Sequence, residues 1–175
     1  MGSKNRIAKY ILPIMLKHRK EGQYWVEPFV GGANMIDKVE GNRIGADSNE
    51  HCIEALRTIR DSIEFIPKNK DEFSESNYHN LKTSDFKYKS FAYFAYSYSG
   101  KFKRGWRRDK EGKRDYVAES YRNALKQHPK LQGVKLENLT YKELFLPTNS
   151  LIYCDPPYEG TTKYKDSFNS YEFWQ

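Results

Sequence analysis

The sequence predicts an α/β protein built on an open sheet, and three features carry that prediction. Apolar runs of strand length at 24–27 and 42–46 enclose a glycine-rich loop and a short helical pattern, and the second run ends on an acidic residue before an amphipathic helix. A later run, Leu151-Ile152-Tyr153-Cys154, stops at Asp155, because Pro156 and Pro157 forbid a continued ladder or a helix interior. Between these two parts the alternation of strand and helix breaks off, which marks 67–133 as a small, mainly helical insertion.

Taken in order, Ile7, Ile11 and Met15 recur at i, i+4 and i+8, the spacing of an amphipathic helix with Pro13 near its start or at a kink. Residues 24–27 form a short strand, 28–34 a tight loop with adjacent glycines, and 33–39 a helical turn or two. The strand at 42–46 ends at Asp47, which with Glu50 three residues on has the form of a capping box. Ile53, Leu56, Ile59 and Ile63 then continue at helical spacing. The polar stretch 68–85 reads as a loop with a short helix over 74–82, and Phe91, Phe94 and Tyr98 as an aromatic helix ending at Gly100. Asp115 can cap a helix carrying Val117, Tyr121 and Leu125, which Pro129 stops. A third strand at 134–137, a helical turn near 141–144 and a fourth strand at 151–154 complete the series.

Composition narrows the classes of function. The 175 residues suit one domain, 38% of them are hydrophobic and 30% charged, and no apolar run approaches the ~18 residues that span a bilayer. The basic start, Met1-Gly2-Ser3-Lys4-Asn5-Arg6, is not followed by the apolar core and cleavage site of a secretory signal, so the expected compartment is the cytoplasm. Cys52 and Cys154 lie in unrelated contexts, as reduced thiols do. His18, His51, His79 and His128 have no ligand spacing with either, so no metal is expected. The formal charge of +7 is concentrated in 101–114, where Lys101, Lys103, Arg104, Arg107, Arg108, Lys110, Lys113 and Arg114 face only Asp109 and Glu111. Phe102 and Trp106 interleave with these cations. Such a segment either contacts nucleic-acid phosphates or is a solvated charged loop.

Two motifs carry chemistry. A carboxylate fixed at a strand end by Asp155, a backbone stiffened by Pro156 and Pro157, and the ring of Tyr158 suit a flat ring bearing an amine. The carboxylate and a neighbouring carbonyl can each accept one hydrogen of an exocyclic NH2 while the aromatic face stacks on the ring. The alternative is a proline-rich loop behind a buried strand. The loop Phe29-Val30-Gly31-Gly32-Ala33 lacks the spacing of a dinucleotide fingerprint, and its glycines let the backbone approach the amino-acid end of a small cofactor. It could equally be a plain strand-to-helix turn. Asp47, at the tip of the next strand, stands where an acidic residue meets ribose hydroxyls.

Asp155-Pro156-Pro157-Tyr158, with Val26-Glu27-Pro28-Phe29-Val30-Gly31-Gly32-Ala33-Asn34 upstream of it, resembles the Dam-type family of adenine-specific (N6) DNA methyltransferases. The order of glycine loop, basic region and catalytic tetrapeptide is also that family's. The family often shows F-x-G-x-G, whereas here Gly31 and Gly32 are adjacent and Ala33 holds the last small position. The resemblance implies a Rossmann-like S-adenosylmethionine-dependent methyltransferase sheet formed by 1–66 and 134–175, with 67–133 as an inserted target-recognition region. It assigns Asp155, the Pro156 carbonyl, Pro157 and Tyr158 to catalysis. Lys4, Glu27, Phe29, Gly31, Gly32, Asp47 and Asn138 fall to S-adenosylmethionine, and Lys101, Lys103, Arg104, Trp106, Arg107 and Arg108 to double-stranded DNA. It also implies a seven-stranded sheet, of which this sequence offers four strands. The chain therefore reads as C-terminally truncated, with weak or no turnover alone; a dimer or a second chain completing the sheet is the competing reading. An RNA, protein-amide or cytosine-N4 methyltransferase and a catalytically silent DNA-binding protein remain alternatives. Protein-amide and RNA relatives more often carry Asn at the position of Asp155.

Overall fold

The computed structural model of the chain describes residues 4–157 and 169–173, so Tyr158 and the Gly2-Ser3 start lie outside the described residues. Four parallel strands are central: β1 (Tyr24–Glu27), β2 (Arg43–Ala46), β3 (Val134–Glu137) and β4 (Ser150–Ile152), in the spatial order β3-β2-β1-β4. Val26 lies opposite Ile44 on one side and Ile152 on the other, which fixes the register of the inner strand β1. Trp25 and Val26 are fully buried, as expected of a parallel strand covered on both faces. The hydrogen bond from Tyr153 N to Val26 O, 2.9 Å, carries the β4 pairing one residue past the strand, and Cys154 lies beyond it. Among the described residues β4 pairs with β1 alone.

The strand order has a direct consequence for function. The chain steps from β1 to β2 to β3 in one direction and then crosses back to place β4 on the other side of β1. The strand order therefore reverses at β1, and the carboxyl ends of β1 and β4 flank the position where open α/β sheets bind ligands.

Among the described residues six α-helices accompany the sheet. In α1 (Asn5–Leu16) Ala8 and Leu12 face the core, and Pro13 is accommodated inside the helix. Helix α2 (Glu50–Asp61) buries Cys52, Ile53, Leu56 and Ile59. Asn49 caps it, its side chain accepting from His51 N at 3.1 Å. The expected capping box of Asp47 and Glu50 does not form, because the Asp47 carboxylate is held by other backbone N–H groups, described below. The predicted turn at 33–39 is a 3-10 turn at Ile36–Lys38. Helix α3 (Glu75–Asn80) starts from a capping box of Ser74 and Asn77.

Two helix ends differ from their sequence readings. The aromatic helix α4 (Lys89–Ala95) stops before Tyr98, since Ser97 is extended and pairs with Trp106. Helix α5 (Tyr116–Leu131), capped by Asp115 with Ala118 N at 2.9 Å, runs two residues past Pro129. Its buried Leu131 gains more from packing than the missing N–H of a final-turn proline costs. A single turn, α6 (Ser170–Phe173), completes the set.

The helices of 67–133 do not build a core of their own. Phe73, Tyr78, Leu81, Phe91 and Tyr96 belong to the same buried cluster as Ala8, Trp25, Ile36 and Ile53. Arginines lock the layers by donating to backbone carbonyls: Arg43 to Lys130 O (2.7 Å) and Gln132 O (2.6 Å), Arg57 to Leu136 O (2.7 Å) and Arg60 to Val134 O (2.6 Å).

Candidate functional site

The glycine loop leaves β1 and is folded back over β2. Val30 N donates to Ala46 O at 2.8 Å, and this closeness is possible because the facing residue of β2 is Gly45. A Cβ on Gly45 would stand 2.7 Å from Val30 Cγ2. Gly31 has a φ of 49°, and its N–H donates to Asp47 Oδ2 at 3.0 Å, while Asp47 Oδ1 accepts from Asn49 N at 2.9 Å. The carboxylate thus ties the loop after β1 to the loop after β2. Burial pushes the Asp47 carboxyl above its ordinary range, against the two N–H groups that stabilise its charge. Each oxygen retains a second lone pair for a ligand hydroxyl.

Asn138, just beyond β3, donates through Nδ2 to Asp47 O (2.9 Å) and Ser48 O (3.2 Å). It braces the Asp47 turn. Gln127 of α5 donates to Gly32 O at 3.0 Å, fixing the loop from the opposite side. A mainly apolar cavity of about 200 Å³ lies behind Gly31 and Gly32, lined by Leu56, Phe91, Phe94 and Gln127 among others. Phe29 meets Tyr141 (centroids 5.7 Å apart) and Phe173 (5.5 Å), so α6 closes against the outer side of the same loop.

Asp155 follows β4 on the far side of β1. Its Oδ1 lies 3.1 Å from Lys4 Nζ, so residues 151 positions apart meet at the crevice. Glu27, at the end of β1, is only 2% exposed and accepts from the Trp25 indole Nε1 at 2.7 Å. Burial pushes its carboxyl from the ordinary 4.5 up to about 8; the indole bond opposes this, and the charges of Asp37 and Asp155 add to it. Glu27 is therefore protonated at neutral pH while Asp155 has a cation beside it. Trp25 in turn stacks on Tyr153 at 5.9 Å, seating the end of β4 on β1. Cys52, next to the glycine loop, is buried, which pushes its thiol upward and leaves it a packing residue. Among the described residues no cluster of His, Cys, Asp and Glu is placed to hold a metal, and no helix is long and apolar enough to cross a membrane.

The basic segment forms a hairpin standing on α4. Ser97 and Trp106 make an isolated antiparallel bridge, with Tyr98 N to Gly105 O at 2.9 Å and Arg107 N to Tyr96 O at 2.8 Å. Ser97 is fully buried and donates to Tyr93 O at 2.6 Å, anchoring the base. Trp106, expected at a DNA groove, instead packs on Phe73 (6.1 Å), Tyr78 (5.7 Å) and Tyr96 (6.1 Å) and supports the hairpin from below. The cations divide into two groups. Arg108 forks onto Glu75, Arg114 onto Glu119, and Lys113 pairs with Glu111. Arg107 lies 3.9 Å over the Tyr116 ring and Lys103 over Tyr93 and Phe102, while Lys101 and Arg104 make no ion pair among the described residues.

Sequence reading did not single out Gly45, Gln127, Trp25 or Asn49. A glycine inside a strand is a known sign of close backbone approach and would have flagged Gly45, and Asn49 stands directly before a helical pattern. Nothing in the sequence marks Gln127, which reaches Gly32 from 95 positions away.

The family model for the D12 class N6 adenine-specific DNA methyltransferase matches residues 1–175. No curated protein matches the chain.

Proposed function

The chain belongs to the D12 class of N6 adenine-specific DNA methyltransferases, and from that premise we propose that it transfers a methyl group from S-adenosylmethionine to N6 of a flipped adenine at a particular site in duplex DNA, in the crevice between β1 and β4. The observation that carries this reading is the meeting of Lys4 and Asp155, 3.1 Å apart, across β1 from the loop that Asp47 ties down.

The residues present fit the cofactor. The loop at Gly31 and Gly32 brings backbone close to the crevice, and Asp47 offers free lone pairs at the end of the neighbouring strand, matching an amino-acid end and a ribose. Asn138 holds the Asp47 turn in place, and Phe29 with Tyr141 supplies apolar surface for the nucleoside end. When bound, S-adenosylmethionine supplies an electrophilic methyl group on a sulfonium.

The chain's own task is to make a weak nucleophile reactive. The adenine N6 lone pair is delocalised into its ring. Asp155 and the Pro156 carbonyl each accept one N6 hydrogen, which favours a pyramidal nitrogen with its lone pair directed at the methyl carbon. The Asp155 carboxylate would accept the proton that N6 gives up on receiving the methyl group, which the sulfonium would supply while leaving as a neutral thioether. Lys4, 3.1 Å away, pairs with that carboxylate and holds it in place. Lys101, Lys103, Arg104 and Arg107 hold the duplex by its phosphates, offsetting the few kcal/mol lost in unstacking the base.

Incubation with methyl-labelled cofactor and equal amounts of duplex DNA, RNA and protein tests the reading. Label should enter DNA alone and be recovered as N6-methyladenine. Recovery as N4-methylcytosine, or in RNA or protein, would replace it.

A further inference from the structure

Beside the hairpin lies a second feature that the site above does not use. An open cleft of about 670 Å³ runs between α2 and the start of α4, and its lining includes Arg57, Lys87, Lys89 and Lys103. We infer that this cleft is a second phosphate-binding groove, which takes the backbone of the same DNA duplex some distance from the target base. This inference rests on the DNA reading proposed above.

How each cation is held supports the assignment. Lys89 Nζ donates to Lys82 O (2.9 Å) and Ser84 O (3.1 Å), which fixes its position and leaves one of three N–H protons unused. Lys87 Nζ stands 4.2 Å over the Phe65 ring, and Lys103 Nζ 4.8 Å over Tyr93 and 5.0 Å over Phe102. Arg57 donates to Leu136 O. Carbonyls and rings orient a cation without cancelling its charge. In the hairpin, by contrast, Arg108 and Arg114 are compensated by carboxylates.

The carboxylates that line the cleft offset only part of this excess. Asp61 is forked by Arg60, both of its oxygens accepting at 2.7 Å. Glu54 accepts from Ser90 Oγ and lies 3.3 Å from His51 Nδ1, contacts that orient it without cancelling its charge, so it offsets one of the four lining cations and a net positive charge remains. The cleft therefore presents several pre-positioned, uncompensated cations from three separate elements, the arrangement that draws a polyanion and releases its counterions. Continuity with the hairpin favours a duplex over a small anion. Lys103 belongs to both features, and Phe102 stacks on His51 of α2 at 4.3 Å, seating the hairpin at the mouth of the cleft.

The test compares the salt dependence of duplex binding for a short duplex of about 12 base pairs centred on the target and one of about 30, using the unsubstituted chain with a cofactor analogue. Lys87→Gln should lower the slope of log affinity against log salt by about one unit on the long duplex and leave it unchanged on the short one. Arg104→Gln should lower it on both. Lys87→Glu, which keeps a long polar side chain but reverses the charge, should enlarge the long-duplex effect with no change in melting temperature. An unchanged long-duplex slope in both Lys87 variants would overturn the groove while leaving the DNA reading intact. If the unsubstituted chain binds neither duplex, the DNA reading falls and the groove falls with it. Saturable binding of ADP or inorganic phosphate that Lys87→Gln abolishes, with an unaltered long-duplex slope, would assign the cleft to a small anion and also overturn the proposal.

Discussion

The two ends of the proposed reaction are built on opposite principles. At the carboxyl ends of β1, β2 and β3 the polar groups are fixed by the backbone: Asp47 accepts from Gly31 N and Asn49 N, Asn138 donates to Asp47 O, and Gln127 donates to Gly32 O. In the basic hairpin the polar groups are long side chains on a scaffold of rings, and their partners are surface carboxylates or aromatic faces. A site made of backbone contacts is rigid and fails through strain or an orphaned N–H. A site made of lysines and arginines is adjustable, and there the partner each cation already has matters more than how many there are.

Several substitutions would break or sharpen this contrast. Asp47→Ala should have the largest effect, orphaning the part-buried N–H of Gly31 at a cost of about 1–3 kcal/mol while the exposed Asn49 N–H turns to water, with a loss of cofactor affinity by calorimetry. Asp47→Asn should recover only part of it, because its amide turns an N–H toward one of the two donors. Gly45→Ala pushes a methyl into Val30, 2.7 Å from Cγ2. It should cost about 1–3 kcal/mol in denaturant unfolding and loosen the glycine loop.

Glu27 offers a pH test of the buried end. Its folded pKa of about 8 lies above the ordinary 4.5, so the folded state binds the proton more tightly than the unfolded one. The stabilising contribution is fully present below 4.5 and is lost as pH rises through 8, at up to about 1.4 kcal/mol per pH unit. Glu27→Gln should flatten the fall in stability over that window. A slope unchanged by the substitution would show that another group titrates. The smallest expected effect is in the hairpin, where Arg104→Gln should lower the salt slope of DNA binding by about one unit and Arg108→Gln, already compensated by Glu75, by much less. Equal effects would mean that Arg108 leaves Glu75 when DNA binds.

The same contrast explains what could be read from the sequence. The four strands and the positions of Asp47 and Asp155 just beyond strand ends were legible because short apolar runs ending on an acid, a glycine pair and a proline pair constrain the backbone locally. The meeting of Lys4 with Asp155 was not, since it depends on β4 crossing back beside β1. Helix ends misled where packing outweighed local signals. Leu131 draws α5 past Pro129, and the bridge from Ser97 to Trp106 ends α4 early. The basic run announced its charge but not its partners. Trp106 looked like a groove-probing ring because its sequence neighbours are cations, while its contacts, Phe73, Tyr78 and Tyr96, come from the core.

The central claim is that the crevice between β1 and β4 separates holding the cofactor from activating the amine, the second task falling to Asp155. It is tested most directly by measuring, on one preparation of Asp155→Ala, both cofactor affinity by calorimetry and N6-methyladenine formation in single turnover. The account predicts affinity within about threefold of the unsubstituted chain and a rate reduced by about 10²–10³-fold or more. Methylation at close to the unsubstituted rate would contradict it.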